Sequence, residues 1–273
     1  MQVTRIAPDW PAPSLMHRRR VVQDRITYVG LDVHKDAVVV AIAEGGIRGE
    51  VREYGRIANT ATALDRLIRK LGDGGVRLRF CYEAGPCGYG IQRHVSTHGH
   101  ECVVVAPSLI PKRAGDRIKT DRRDAEKLAR SFRSGDLTPV WVPDAAHEAL
   151  RDLVRAREAA KKDQLRARHR LQKFLLRHGH RPPAGTKAWT DAYRRWIAGL
   201  RFEQPAQDAT RLDYLTEVDH ARDRIARLER AIDAAVETVP APMRAVIEAL
   251  QALRGIATVA AVTIVAEVGQ LSR

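Results

Sequence analysis

The sequence predicts an α/β domain followed by a long α-helical hairpin. Three observations carry that prediction. Three β-rich runs crowd residues 26–54, with turn residues between them. Helix and strand patterns then alternate up to about residue 133. From Pro143 onward strand signals vanish, and apolar residues recur at steps of three and four.

Residues 26–33, ITYVGLDV, are apolar and rich in strand formers, and read as the first strand. His34, Lys35 and Asp36 turn the chain into residues 37–43, AVVVAIA. Glu44, Gly45 and Gly46 make a second turn, after which residues 47–55 alternate as a half-exposed third strand. Ala61, Leu64, Leu67, Ile68 and Leu71 stand at helical spacing, and the run GDGG at 72–75 stops that helix. Residues 77–83, RLRFCYE, read as a fourth strand, broken by Gly85 and Pro86 and followed by a helix to about His98. Residues 101–107 read as a fifth strand, and a further helix begins near Asp121 and runs to about Arg133.

In the second half, Leu150, Leu153, Arg157, Ala160, Gln164, Ala167, Leu171 and Phe174 keep a heptad rhythm. Tyr214, Val218, Ala221, Ile225, Leu228, Ile232, Ala235 and Val239 keep it more cleanly. Residues 143–239 therefore read as a helical hairpin or coiled coil. Residues 181–207 interrupt it with Trp189, Tyr193, Trp196 and several prolines, and are expected to form an insertion with its own small core. Residues 240–273 open another helical unit whose apolar helix has no partner visible in the sequence. That points to the start of a longer C-terminal domain, and residues 1–25 are expected to be a disordered extension.

The chain carries 47 Lys+Arg against 33 Asp+Glu, a net charge of +14, which favours a polyanionic partner. Its longest apolar stretch, residues 256–266, falls well short of the ~20 residues of a membrane span, and no signal peptide is evident. Three cysteines, Cys81, Cys87 and Cys102, without a C-x-x-C pair fit a reducing, cytoplasmic setting. His94, His98, His100 and Cys102 match no standard zinc spacing, and His94 and His98 are expected to share a helix face.

Four acids stand out against this basic background. Asp32 lies in the first strand, Glu83 ends the fourth, and Asp121 and Asp124 share one face at the start of a helix. Two-metal phosphodiester chemistry needs carboxylates on such rigid elements, and Mg²⁺ prefers oxygen ligands. Lys119, Arg122, Arg123, Lys127 and Arg130 surround the closing pair and are expected to steer a phosphate backbone. The blander reading makes Asp32 a turn residue, Glu83 a solvated strand end, and Asp121 and Asp124 a helix cap. Residues 151–181 hold eleven Lys or Arg and three acids. Lys161, Lys162, Arg166, Arg170 and Lys173 are the expected nucleic-acid contacts there.

Four segments together resemble the DEDD-type insertion-sequence transposases, the family numbered one-ten, described as bridge-RNA-guided recombinases. They are residues 29–36 (VGLDVHKD), 82–90 (YEAGPCGYG), 119–129 (KTDRRDAEKLA) and 140–157 (VWVPDAAHEALRDLVRAR). The likeness covers about residues 26–180, and the hairpin extends it to about 239. The resemblance implies a RuvC-like, RNase H-type fold for residues 26–142, with Asp32, Glu83, Asp121 and Asp124 as the Mg²⁺-holding catalytic residues. It implies DNA as substrate, a guide RNA, and a hairpin that joins protomers into a homo-oligomer. It also implies a C-terminal domain opened by a helix-hairpin-helix-like stretch and carrying a catalytic serine. Residues 253–269 resemble that opening, with Arg254 where the family usually has Pro and Ala257 where it usually has a second Gly. None of Ser14, Ser96, Ser108, Ser131, Ser134 and Ser272 stands in a matching context, so the serine domain is expected to be missing. The alternatives are a remnant that only binds nucleic acid and a stand-alone junction nuclease.

Overall fold

A computed structural model describes residues 25–46, 48–111 and 120–269, and the chain divides into two compact units, Met1–Val142 and Pro143–Arg273. The expected disordered extension lies outside the described residues, apart from Arg25.

The first unit is a mixed α/β fold consistent with the RNase H-like class. Its strands are β1 (Ile26–Val33), β2 (Ala37–Glu44), β3 (Val51–Ala58), β4 (Arg77–Glu83) and β5 (Glu101–Val105). They lie in the order β3-β2-β1-β4-β5. β1, β2 and β3 pair antiparallel through short turns, whereas β4 joins β1, and β5 joins β4, in parallel. Parallel pairing needs crossovers, which α1 (Ala61–Leu71) and α2 (Gly90–Thr97) supply. The third strand starts at Val51, later than the sequence pattern implies. Gly49 donates its N–H to the Gly46 carbonyl and Glu44 its N–H to the Glu50 carbonyl, which spends these residues on the turn.

Strand alternation sorts the sheet into two unlike faces. Val29, Leu31, Val38, Val40, Phe80 and Tyr82 meet Leu64, Leu67 and Ile68 of α1 and Ile91 and Val95 of α2. The other face is lined by small residues: Ala41 and Ala43 pack with Ala125 and Ala129 of α3 (Asp121–Ser134). Gly30 faces α3 so closely that a Cβ there would lie 2.4 Å from the Ala125 carbonyl oxygen and 2.5 Å from the Ala129 nitrogen. At the far end of this face, Arg79 forks onto Glu101 at 2.6 and 2.7 Å and lies over the rings of Tyr28 and Phe132. Arg133 donates to the carbonyls of Glu44 and Gly49, tying the C-terminal end of α3 to the β2–β3 turn.

The second unit is all helical. α4 (Ala145–Arg177) and α6 (Pro205–Val236) form the predicted hairpin. Arg157 pairs with Glu229, Asp163 with Arg224, and Phe174 with Tyr214. The partner number falls as the α4 number rises, so the two helices run antiparallel. The insertion does not form a core of its own. Its short helix α5 (Asp191–Gly199) brings Tyr193 and Ile197, with Trp189 and Trp196, against Ala167, Leu171 and Phe174 of α4 and Val218 of α6. A segment of that size has too little apolar surface to fold alone, so it completes the hairpin core.

The apolar helix near the end also finds cover. α7 (Ala241–Gln251) and α8 (Thr258–Val268) pack on the hairpin, with Ala261, Val262, Val265 and Ala266 buried among Leu150, Val154, Ile232, Met243 and Ile247. Arg151, itself buried, donates to the carbonyls of Ala266 and Glu267, and Arg155 forks onto the Glu267 carboxylate. A guanidinium at the carbonyl end of α8 satisfies otherwise unpaired acceptors and complements the helix dipole. Gly255, at φ +90°, makes the turn between α7 and α8, and Ala257 sits at an ordinary negative φ. The turn therefore does not need a glycine at 257.

Gly30→Ala tests how tightly α3 is seated. Overpacking against backbone is expected to cost about 3 kcal/mol and to speed amide exchange in α3. Unchanged exchange in α3 would show that the helix does not depend on that close approach.

Candidate metal centre

Strand period and helix placement bring Asp32 and Asp121 together and put Glu83 on the same sheet face. Asp32 is two residues beyond Gly30, so it shares the face that α3 covers. Leu31 pairs with Tyr82, so Glu83 follows Tyr82 as Asp32 follows Leu31, and it lies on the same face. α3 starts at Asp121, which puts Asp121 and Asp124 in its first turn. The N-cap is Thr120, whose hydroxyl accepts the Arg123 N–H at 3.4 Å. Capping is thus done by Thr120, and the blander role for the two aspartates reduces to the helix dipole.

The residue that joins them is His34, which the sequence pattern marks only as part of a turn. Its Nε2 lies 3.1 Å from Asp32 Oδ2 and 3.4 Å from Asp121 Oδ2. Asn59 fixes the turn by donating its side-chain N–H to the His34 carbonyl at 2.9 Å. The ligand atoms of Asp32, His34 and Asp121 all lie within 4.8 Å of one another and could hold a metal ion. Among the described residues, Glu83 and Asp124 stand outside that tight group. Asp124 is still near enough to act on the charge of Asp32. Glu83 is exposed at the end of β4, where the Ala84 N–H bonds to Val105.

Electrostatics fit a cation. Burial pushes the Asp32 carboxyl above its ordinary range; His34 opposes this, and the negative charges of Asp121 and Asp124 reinforce it. Partly desolvated, mutually repelling carboxylates are a donor set that a divalent cation relieves.

The basic residues divide. Lys119 lies outside the described residues. Arg122 is engaged within the unit, 3.2 Å from Glu53 and 3.0 Å from Glu126. Arg123 and Arg130 are exposed on α3, and Lys127 is half-buried. On α4, Lys161, Lys162, Arg166, Arg170 and Lys173 line up along the helix; Arg166 pairs with Asp163 and Arg170 lies over the Tyr214 ring. Tyr193 is buried in the hairpin core, and Trp189 and Trp196 pack partly buried against it.

The chain matches known proteins along most of its length. The family model of the IS110-type DEDD transposases, described as "Transposase", fits residues 29–179. A putative transposase by name, y4qE of Sinorhizobium fredii, is 43% identical over 263 residues, covering 96% of this chain and 63% of that protein. The transposase for insertion sequence element IS1533 of Leptospira borgpetersenii is 33% identical over 245 residues, covering 89% of this chain and 70% of that protein. The chain thus spans less than two thirds of the length of the first of these relatives.

The raised Asp32 pKa has a consequence for stability. Between the ordinary value of 3.8 and the raised one, the folded chain holds more protons than the unfolded chain. Stability of the metal-free fold therefore falls as pH rises through that window and stays lowered at neutral pH. Asp32→Asn is expected to raise the melting temperature in chelator at pH 7, with the gain shrinking as pH falls toward 4 (~3.8 being the unperturbed value). A melting temperature that does not rise in the variant would show that Asp32 carries no such strain.

Proposed function

The chain belongs to the DEDD family of insertion-sequence transposases, and on that premise we propose that its acidic centre binds Mg²⁺ and acts on DNA phosphodiesters. The observation that carries this reading is the meeting of Asp32 and Asp121 at His34, where β1 ends and α3 begins. Asp32, Asp121 and Asp124 are the proposed oxygen ligands, with Glu83 the further carboxylate on the same face. A divalent ion held there supplies charge neutralisation at the phosphate and activation of the attacking nucleophile. His34 holds Oδ2 of both aspartates toward one point, and the charges of Arg123, Lys127 and Arg130 on α3 orient a phosphate backbone.

In this reading the basic residues of α4 grip phosphate, either of DNA or of a guide RNA. Oligomerisation through the hairpin is supported by Leu165, Leu176 and Leu212, each about half exposed on α4 or α6. The α7–α8 pair is proposed as a helix-hairpin-helix-like unit.

Purified chain with Mg²⁺ on branched and linear DNA tests the reading, with Asp32→Ala as control. Metal-dependent cleavage that the variant loses is expected, together with Mg²⁺ uptake by calorimetry that the variant also loses. DNA binding without metal uptake or cleavage would overturn the catalytic assignment and leave a binding module. Replacing Lys161, Lys162, Arg166, Arg170 and Lys173 with Gln is expected to weaken binding to all sequences. It should also flatten the slope of log affinity against log salt by ~0.7–0.9 for each phosphate left without a cationic side chain. An unchanged slope would remove α4 from the interface.

A further inference from the structure

The opposite face of the sheet carries a second group of ligating side chains. Asp65 on α1 and His94 and His98 at the end of α2 bring their ligand atoms within 4.8 Å of one another. His94 Nε2 lies 2.7 Å from Asp65 Oδ1, and His98 Nε2 lies 3.2 Å from the same oxygen. The two histidines stand four apart, so they share a helix face and present their rings side by side, with centroids 4.8 Å apart.

The hydrogen bonds around His98 leave a gap that a cation fills. His98 Nδ1 is 2.9 Å from the His94 carbonyl oxygen, which can only accept, so Nδ1 carries a proton. In neutral His98, Nε2 then has only a lone pair, and it faces a carboxylate oxygen. Two acceptors at 3.2 Å need a positive charge between them, either a second proton on His98 or a metal ion. A backbone carbonyl holding the remote ring nitrogen is the arrangement that fixes tautomer and ring direction in metal-binding histidines. Thr97 reinforces it by donating its hydroxyl to the same carbonyl at 2.7 Å. His94 can present its own Nε2 lone pair by carrying its proton on Nδ1.

We propose that Asp65, His94 and His98 form a binding site for a zinc-class divalent cation that clasps α1 to α2. Two imidazoles and one carboxylate suit Zn²⁺, Co²⁺ or Ni²⁺ and disfavour Mg²⁺, which takes oxygen ligands. Water completes a tetrahedral set. The sequence spacing hides the site because Asp65 is 29 residues from His94 and joins it only through helix packing.

The test uses the whole chain, stripped with chelator and titrated with Zn²⁺ at pH 7.5 under excess Mg²⁺, and separately with Co²⁺ read by its visible d–d absorption. The expected result is one equivalent bound with imidazole-type Co²⁺ spectra. Affinity should drop at least ~10-fold in Asp65→Asn and in His98→Gln and stay unchanged in Asp32→Ala. His98→Gln is exposed and helix-compatible, and a chelator melt matching the parent verifies its fold; His94→Gln serves as the second variant if it does not. Binding that survives both Asp65→Asn and the histidine variant would overturn the proposal, as would binding lost in Asp32→Ala, which would place the zinc in the acidic centre. Absence of any Zn²⁺ uptake would overturn it too, and would show that His98 meets Asp65 as an imidazolium only.

Discussion

The close seating of α3 on β1 at Gly30 is the constraint on which the first unit depends. At the point of closest approach the packing residues have almost no side chain: Gly30, Ala41, Ala43, Ala125 and Ala129, of which the alanines are fully buried. A helix can approach a strand this closely only where the facing residues at the crossing carry little or no side chain. The reward is positional. With α3 flat on the sheet, its first turn arrives beside the end of β1, and Asp121 comes within reach of the histidine that also holds Asp32. Stability comes from the other face, where Leu31, Phe80, Tyr82 and Leu67 bury large side chains. Both faces bury apolar side chains, and the α3 face also sets the placement of the acids.

That placement works against the fold. A chain with a large positive charge brings Asp32 and Asp121 together at His34, half-buries Asp32, and leaves Asp124 near enough to add its charge. Local repulsion of this kind is what active centres commonly carry, because the same unfavourable field becomes favourable once a cation arrives. Arg122, the cation nearest in sequence to Asp121, points its charge to Glu53 and Glu126. His34 is the cationic or donor group shown beside both Asp32 and Asp121.

Much of this is legible in the sequence, and the remainder is hidden for identifiable reasons. The alternation that puts Asp32 and Glu83 on one face is a local property of β1 and β4, and it can be read from ITYVGLDV and RLRFCYE once the strands are recognised. The first-turn position of Asp121 and Asp124 is equally local. His34 does not stand out because a histidine in a two-strand turn is ordinary, and only the arrival of α3 gives it a second carboxylate. The cover over α8 is invisible because its partners Leu150 and Val154 lie more than a hundred residues earlier, on another helix. The aromatics of the insertion form a recognisable cluster, yet their neighbours are on α4 and α6, because sequence proximity is a poor guide when a segment is too small to bury its own surface. Period and turn chemistry are encoded locally, whereas the choice of which apolar face meets which is a property of the whole chain.

The two faces of the sheet also separate two kinds of ligand chemistry. Beside α3 the donors are carboxylate oxygens with a single imidazole; beside α1 and α2 they are two imidazoles with a single carboxylate. Hard cations that hold their water tightly gain most from the first set, and borderline cations from the second. Selectivity follows from donor type, and the acidic group adds the larger negative charge. Rigidity differs as well. His34 is held through its backbone by Asn59, leaving its ring to respond to its carboxylates, while the His98 ring is tied at Nδ1 and can offer its remaining nitrogen in one direction only. A ring held at Nδ1 by a backbone carbonyl suits a site that ties two helices together.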